Sequence, residues 1–282
     1  MNTELSLGLG ISRRAFIVLG VIFAVFMVVP LLVIVPTSWT AGQLVEFPPE
    51  GFSLQWYERA LEDPRWTETF VTSLQVAFFG AVIATVLGVA VALGMRRLVR
   101  GRGTRVAQSL FIMPLALPYV SYALGLYQMF TKLPAALNET LVPLILADAV
   151  ITMPLVYVII AGALSGVDPQ LGRAAATMGA RWPTILWRIE LPLVRMAIIG
   201  AFIFSFAAIF DEATLAIFLS PVTDVTLAQQ LYRSAAESIQ PTLSAVSTMI
   251  TLLAILVLGI GSLFTRRRTG VAQRGAVQGG EA

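Results

Sequence analysis

The 282-residue chain contains no cysteine and no histidine. Without cysteine there is neither a disulfide nor a thiolate ligand, and without histidine the commonest metal ligand and general base is missing. Together these absences argue against a catalytic chain. Charge is also sparse: 12% of residues are ionisable Asp, Glu, Lys or Arg, where an ordinary soluble domain carries roughly 25%. No Gly-rich loop ending in Lys-Ser or Lys-Thr occurs, so the chain has no phosphate loop for binding ATP. Nor does it show the internal repeat that many secondary transporters carry.

What it has in abundance is apolar sequence, 57% hydrophobic residues and a mean hydropathy of +0.83. A spanning helix needs ~20 predominantly apolar residues. Six such runs lie near 15–35, 69–93, 106–130, 141–163, 195–219 and 243–264. The fold expected is all-α, a polytopic membrane protein with six transmembrane helices. The first run is longer than a signal-peptide core and ends at Pro36 without a clear cleavage site, so it reads as a retained helix. The organisation expected is a polar lead over 1–14, a membrane domain over 15–264 with a long internal loop at 164–194, and a flexible tail over 265–282.

Orientation follows from the basic residues, because Lys and Arg concentrate in cytoplasmic loops. With the N-terminus inside, all but four of the 19 Lys and Arg fall on the cytoplasmic side, among them Arg96, Arg97, Arg100, Arg173, Arg181, Arg188 and Arg266 to Arg268. Only Arg59, Arg65, Lys132 and Arg233 lie outside. Both termini are therefore expected in the cytoplasm. The Arg clusters adjoin the predicted spans, which assigns the pI of about 9.6 to topology and lipid headgroups, with no nucleic-acid partner expected. Residues 36–68 form the longest external segment. Its stretch from Phe52 to Trp66 reads either as an interfacial helix anchored by Trp56, Tyr57 and Trp66 or as a docking surface for a solute-binding protein.

The internal loop is the most informative stretch. Asp168 can cap a helix whose first residue is Pro169, since proline lacks only an N–H that is unpaired there in any case. Gly179 falls where a helix ends in a left-handed residue. Pro183 can open a second short helix and Pro192 the next span, leaving a small-residue face at Ala174 to Ala176. Residues 171–192, LGRAAATMGARWPTILWRIELP, also fit the pattern Glu-Ala-Ala, three residues, Gly, nine residues, Ile, any residue, Leu-Pro. They match at Ala174, Ala175, Gly179, Ile189, Leu191 and Pro192, with Arg173 in place of Glu.

This loop resembles the cytoplasmic coupling loop of permease subunits of binding-protein-dependent ABC importers. The resemblance implies a type I permease fold with a coupling helix between spans four and five, in a bacterial inner membrane. It also implies a second homologous permease, an ATPase dimer that binds ATP and Mg so that this chain needs no cofactor, and an external substrate-binding protein. Arg173, Ala174, Ala175, Gly179, Ile189, Leu191 and Pro192 become the ATPase-coupling residues, with Arg173 reversing the charge of the usual Glu.

Within the spans, Pro114 and Pro118 predict a kink in the third. Asp148 lies in the fourth, Asp211 and Glu212 in the fifth. Acidic residues in a membrane span cost ~2.5–3.5 kcal/mol each on insertion scales and turn toward a bundle interior or a water-filled path. At helical spacing Phe204, Asp211, Thr214 and Phe218 share one stripe, and a carboxylate between aromatic rings suits an organic cation. A salt bridge or hydrogen bond to a partner permease is the alternative. The stretch SFAAIFDEATLAIFLSPVTDVTLAQQLY, with IQPTLSAVSTMI after it, is similar to the last two spans of polyamine-type permeases, which implies spermidine or putrescine as solute. Iron, opine and phosphonate importers share the architecture, and an ion-coupled secondary transporter remains a separate alternative.

Overall fold

A computed structural model of the chain describes residues 2–97, 102–238 and 240–256, with side chains described from residue 15 onward except at 102 and 135. Arg100, Arg266 to Arg268, the end of the sixth apolar run and the tail over 265–282 lie outside the described residues. Every regular element among those described is helical. The chain divides into two units, 1–63 with 234–282, and 64–233.

In the first unit, α1 runs Asn2–Thr37, so the expected polar lead begins inside the first helix. Its apolar stretch Ala15–Thr37 is long enough to span a membrane. The segment that follows turns back on itself. The Trp56 Nε1–H donates to the Thr40 carbonyl at 2.9 Å, and the Ser38 and Tyr57 hydroxyls bond at 2.5 Å. These bonds seat α2 (Gln55–Glu62), on which the Arg59 guanidinium lies 4.6 Å from the Trp56 ring centroid. The unit closes with the apolar helix Pro241–Leu256.

The second unit is built on three long apolar helices. These are α3 (Pro64–Arg97), α7 (Val142–Ser165) and the continuous stretch Trp182–Phe210, whose main part is α10 (Leu191–Phe210). They pack on one another through small residues. At Gly88 an added Cβ would lie 2.7 Å from Val156 and 3.1 Å from the Met153 carbonyl, so α3 and α7 are in backbone-close contact there. Phe202, Phe206 and Phe210 recur at four-residue spacing on α10; Phe202 meets Phe78 and Phe210 meets Phe70 of α3 edge to face at 6.1 and 6.0 Å, with Phe206 packed between the two on α10. The Ser73 hydroxyl accepts from the Leu227 N–H at 2.8 Å, fixing the start of α12 (Leu227–Glu237) against α3.

Two expected spans are broken. In the third, α4 (Arg102–Ile112) and a 3-10 turn (Met113–Ala116) are followed by α5 (Tyr119–Phe130), and the two halves meet at 98°, far sharper than a kink. Leu117 is extended (φ −80°, ψ 138°), as the residue before a proline tends to be, and Pro118 takes the N-cap of α5. The fifth span stops at Phe210 and resumes as α11 (Thr214–Leu219). Between α5 and α7 lies only the single turn α6 (Ala135–Asn138). Among the described residues, four helices are long and apolar enough to cross a membrane, or five if the bent pair counts as one span.

Candidate functional site

The internal loop folds as its residues dictate. The short helix α8 runs Pro169–Thr177, and the Asp168 carboxylate accepts from the Gln170 N–H at 2.8 Å. At the other end Gly179 has φ +86°. Ala180 N–H bonds the Ala175 carbonyl and Gly179 N–H the Ala176 carbonyl, both at 3.0 Å, which is the paired closure a left-handed glycine permits. The expected small-residue face is not a face: Ala175 is buried while Ala174 and Ala176 are exposed. Successive helical residues point about 100° apart, so three in a row cannot share one side.

Pro183 opens the short helix α9 (Trp182–Ile185), and Pro192 sits in the first turn of α10, which follows α9 without a break. The helix passes it through a π turn, Leu186–Glu190, in which Leu191 N–H bonds the Leu186 carbonyl. Proline offers no N–H to the ladder, and widening by one residue accommodates that loss.

The loop is tied to the C-terminal end of α3. Arg96 donates to the Val167 carbonyl at 2.9 Å. The Arg97 guanidinium lies 4.4 Å from the Trp182 ring centroid and 3.4 Å from Glu190. Between them opens a cleft of about 710 Å³ lined by Arg97, Gly172, Arg173, Trp182, Ile189 and Glu190 among others. Arg173 is exposed on α8, Ile189 and Leu191 are half-buried, and Pro192 is exposed. Arg96 and Arg97, legible in the sequence only as topology signals, hold the loop in place.

The membrane carboxylates are distributed differently from the helical stripe expected of them. Asp211 is exposed as the C-terminal cap of α10 (φ −90°, ψ 0°), and the helix does not continue through Thr214 to Phe218. Glu212 causes the restart: one carboxylate oxygen accepts from Thr214 N–H and the other from Leu215 N–H, each at 2.7 Å. A side chain that satisfies the free N–H groups of a new helix competes with continuation of the old one. Phe204 is exposed and Phe218 half-buried, on different helices.

Asp148 is the deeply buried acid, 2% exposed on α7, with its Oδ1 unpartnered. Its helical neighbours Leu144 and Ile151 belong to a core that also contains Ala77 of α3, Ala123 of α5, Ile209 of α10 and Leu215 of α11. Glu212, Tyr119 and Tyr122 are within its electrostatic reach. Tyr119 follows Pro118 immediately and Tyr122 lies one turn further, at the start of the half-span that Pro118 creates. They gave no signal in the sequence beyond that adjacency. Among the described residues no group of three acidic side chains could hold a metal ion.

The chain as a whole is similar to several known permeases and to solved ABC transporter structures. The spermidine/putrescine transport system permease protein PotC of Haemophilus influenzae is 27% identical over 90% of this chain and 96% of its own length. The putrescine transport system permease protein PotI of Escherichia coli is 28% identical over 80% of this chain and 81% of its own. The solved structure of a bacterial alginate ABC transporter, in complex with a pentasaccharide-bound periplasmic protein, superposes with a TM-score of 0.70 at 15% identity, over 91% of this chain and 94% of that one. A family profile matches residues 84–270, more than half of the 282, and through it the chain belongs to the binding-protein-dependent transport system inner membrane components.

Proposed function

We propose that this permease imports polyamines or related organic cations, driven by ATP hydrolysis in partner subunits. The observation that carries the reading is the placement of three carboxylates in the apolar unit, Asp148 buried within α7 and Asp211 and Glu212 at the break between α10 and α11. Carboxylates are costly there unless they serve a cation or a partner. The similarity to spermidine/putrescine and putrescine permeases supports the same solute class. The solute path runs past these acids, with Phe204 and Phe218 on its border.

The partners are a second homologous permease, an ATPase dimer that binds ATP and Mg, and a substrate-binding protein on the outer face. Both termini are cytoplasmic, and α8 is the coupling helix, set in a groove of one ATPase. Closure of the ATPase pair pushes on α8, and the ties from Arg96 and Arg97 pass that movement to α3 as rigid-body motion. Arg173, Ala174, Ala175, Gly179, Ile189, Leu191 and Pro192 form or support the coupling surface. With Arg at 173, the facing ATPase surface must accept positive charge.

Uptake of labelled putrescine and spermidine by cells with and without the intact system tests the reading. Loss of uptake on deletion is expected. Polyamine uptake unchanged by deletion, with iron, an opine or a phosphonate depending on the system instead, would remove the polyamine assignment and leave the importer.

A further inference from the structure

Of the three acids in the proposed path, two have oxygens already engaged or lie at the surface. Both Glu212 oxygens are held at 2.7 Å by backbone N–H groups, and Asp211 is exposed at the end of α10. Among these three acids Asp148 alone combines near-complete burial with an oxygen that no protein donor meets. A buried polar atom without a partner needs an explanation, and a carboxylate in apolar surroundings either holds a proton or is paired with a positive charge; a cation that displaces the proton satisfies both.

The surroundings narrow what that charge is. A metal ion needs several oxygen ligands, and no acidic cluster of that kind occurs among the described residues. Tyr119 and Tyr122 are within electrostatic reach of Asp148, and Tyr122 packs against the core that holds Leu144 and Ile151; phenol rings offer a negative face and their hydroxyls hydrogen-bond acceptors. Tyr119 is 43% exposed and Tyr122 half-buried, so both tyrosines are accessible from outside the unit. The second acid in electrostatic reach, Glu212, adds negative potential without offering a free oxygen. One unpartnered carboxylate oxygen with two phenol groups in electrostatic reach suits a primary ammonium group.

We propose that Asp148, with Tyr119 and Tyr122, is the seat for an ammonium group of the transported solute, and that Glu212 is the structural cap that holds α11 beside it. The seat rests on the organic-cation reading above and names the residue that enforces it.

The test uses the complete importer, purified with its partner subunits and reconstituted into liposomes. Asp148→Asn keeps the side-chain shape and removes the charge, and Asp148→Glu keeps the charge. Labelled putrescine uptake should fall about tenfold or more in Asp148→Asn, as expected for loss of one partner of a buried charge pair. Asp148→Glu should recover part of it, with an unfolding midpoint for both variants near that of the parent. Uptake by Asp148→Asn equal to the parent overturns the seat. Equal impairment of both variants with a lowered midpoint also overturns it, since that marks a packing role. If the parent takes up no diamine, the polyamine reading fails by itself, and the same variants are then tested on the solute the parent does move. Asp148-dependent uptake of another cation upholds the seat, and a solute without positive charge overturns it.

Discussion

Asp148 and Glu212 are both carboxylates in an apolar unit, yet their oxygens have opposite occupations. Glu212 substitutes for the missing turn ahead of α11, so Glu212→Ala should cost about 1 kcal/mol, the usual worth of a helix cap, read as an earlier unfolding midpoint. Asp148→Asn should leave the midpoint unchanged and act on uptake. Spacing alone could not separate them, because a periodicity argument treats residues 204–218 as one helix and cannot see a side chain bonding the backbone two and three residues on. Gly179 was legible for the opposite reason. Its φ of +86° belongs to a closure set by its immediate neighbours, and local chemistry is what a sequence displays.

Helix packing offers a paired comparison within a single element. Gly88 and Gly94 both lie on α3, but a Cβ at Gly88 would meet Val156 at 2.7 Å, while nothing lies within 4 Å at Gly94. Gly88→Ala should destabilise the α3–α7 contact by about 1–3 kcal/mol through overpacking, whereas Gly94→Ala should be neutral or stabilise by up to about 1 kcal/mol through helix propensity. Thermal unfolding in detergent checks both, and equal shifts would refute the close approach. The apolar runs at 15–35, 69–93 and 141–163 all found helical counterparts, and 195–219 did as far as Phe210, because run length and hydropathy are strong signals. The 98° break at Leu117–Pro118 exceeded the kink expected from two prolines, since a proline marks where a helix can bend and the packing around it decides how far.

At the scale of the whole molecule, orientation rests on the distribution of arginine, and the absence of cysteine makes it directly measurable. Arg173→Cys and Phe52→Cys each introduce the only thiol in the chain. A membrane-impermeant maleimide should label Phe52→Cys in intact spheroplasts and Arg173→Cys only in inverted vesicles. The reverse pattern would put α8 on the wrong side for any ATPase. The π turn at Leu186–Glu190 bears on the same side of the molecule. One residue more than an α-helical turn offsets the angular phase of everything before Leu186 by about 100° relative to α10. The azimuth at which Trp182 meets Arg97 is therefore set by a single surplus residue. Deleting it would leave the chemistry of the loop intact while swinging its cleft away from α3, like a key cut correctly and inserted a quarter-turn out.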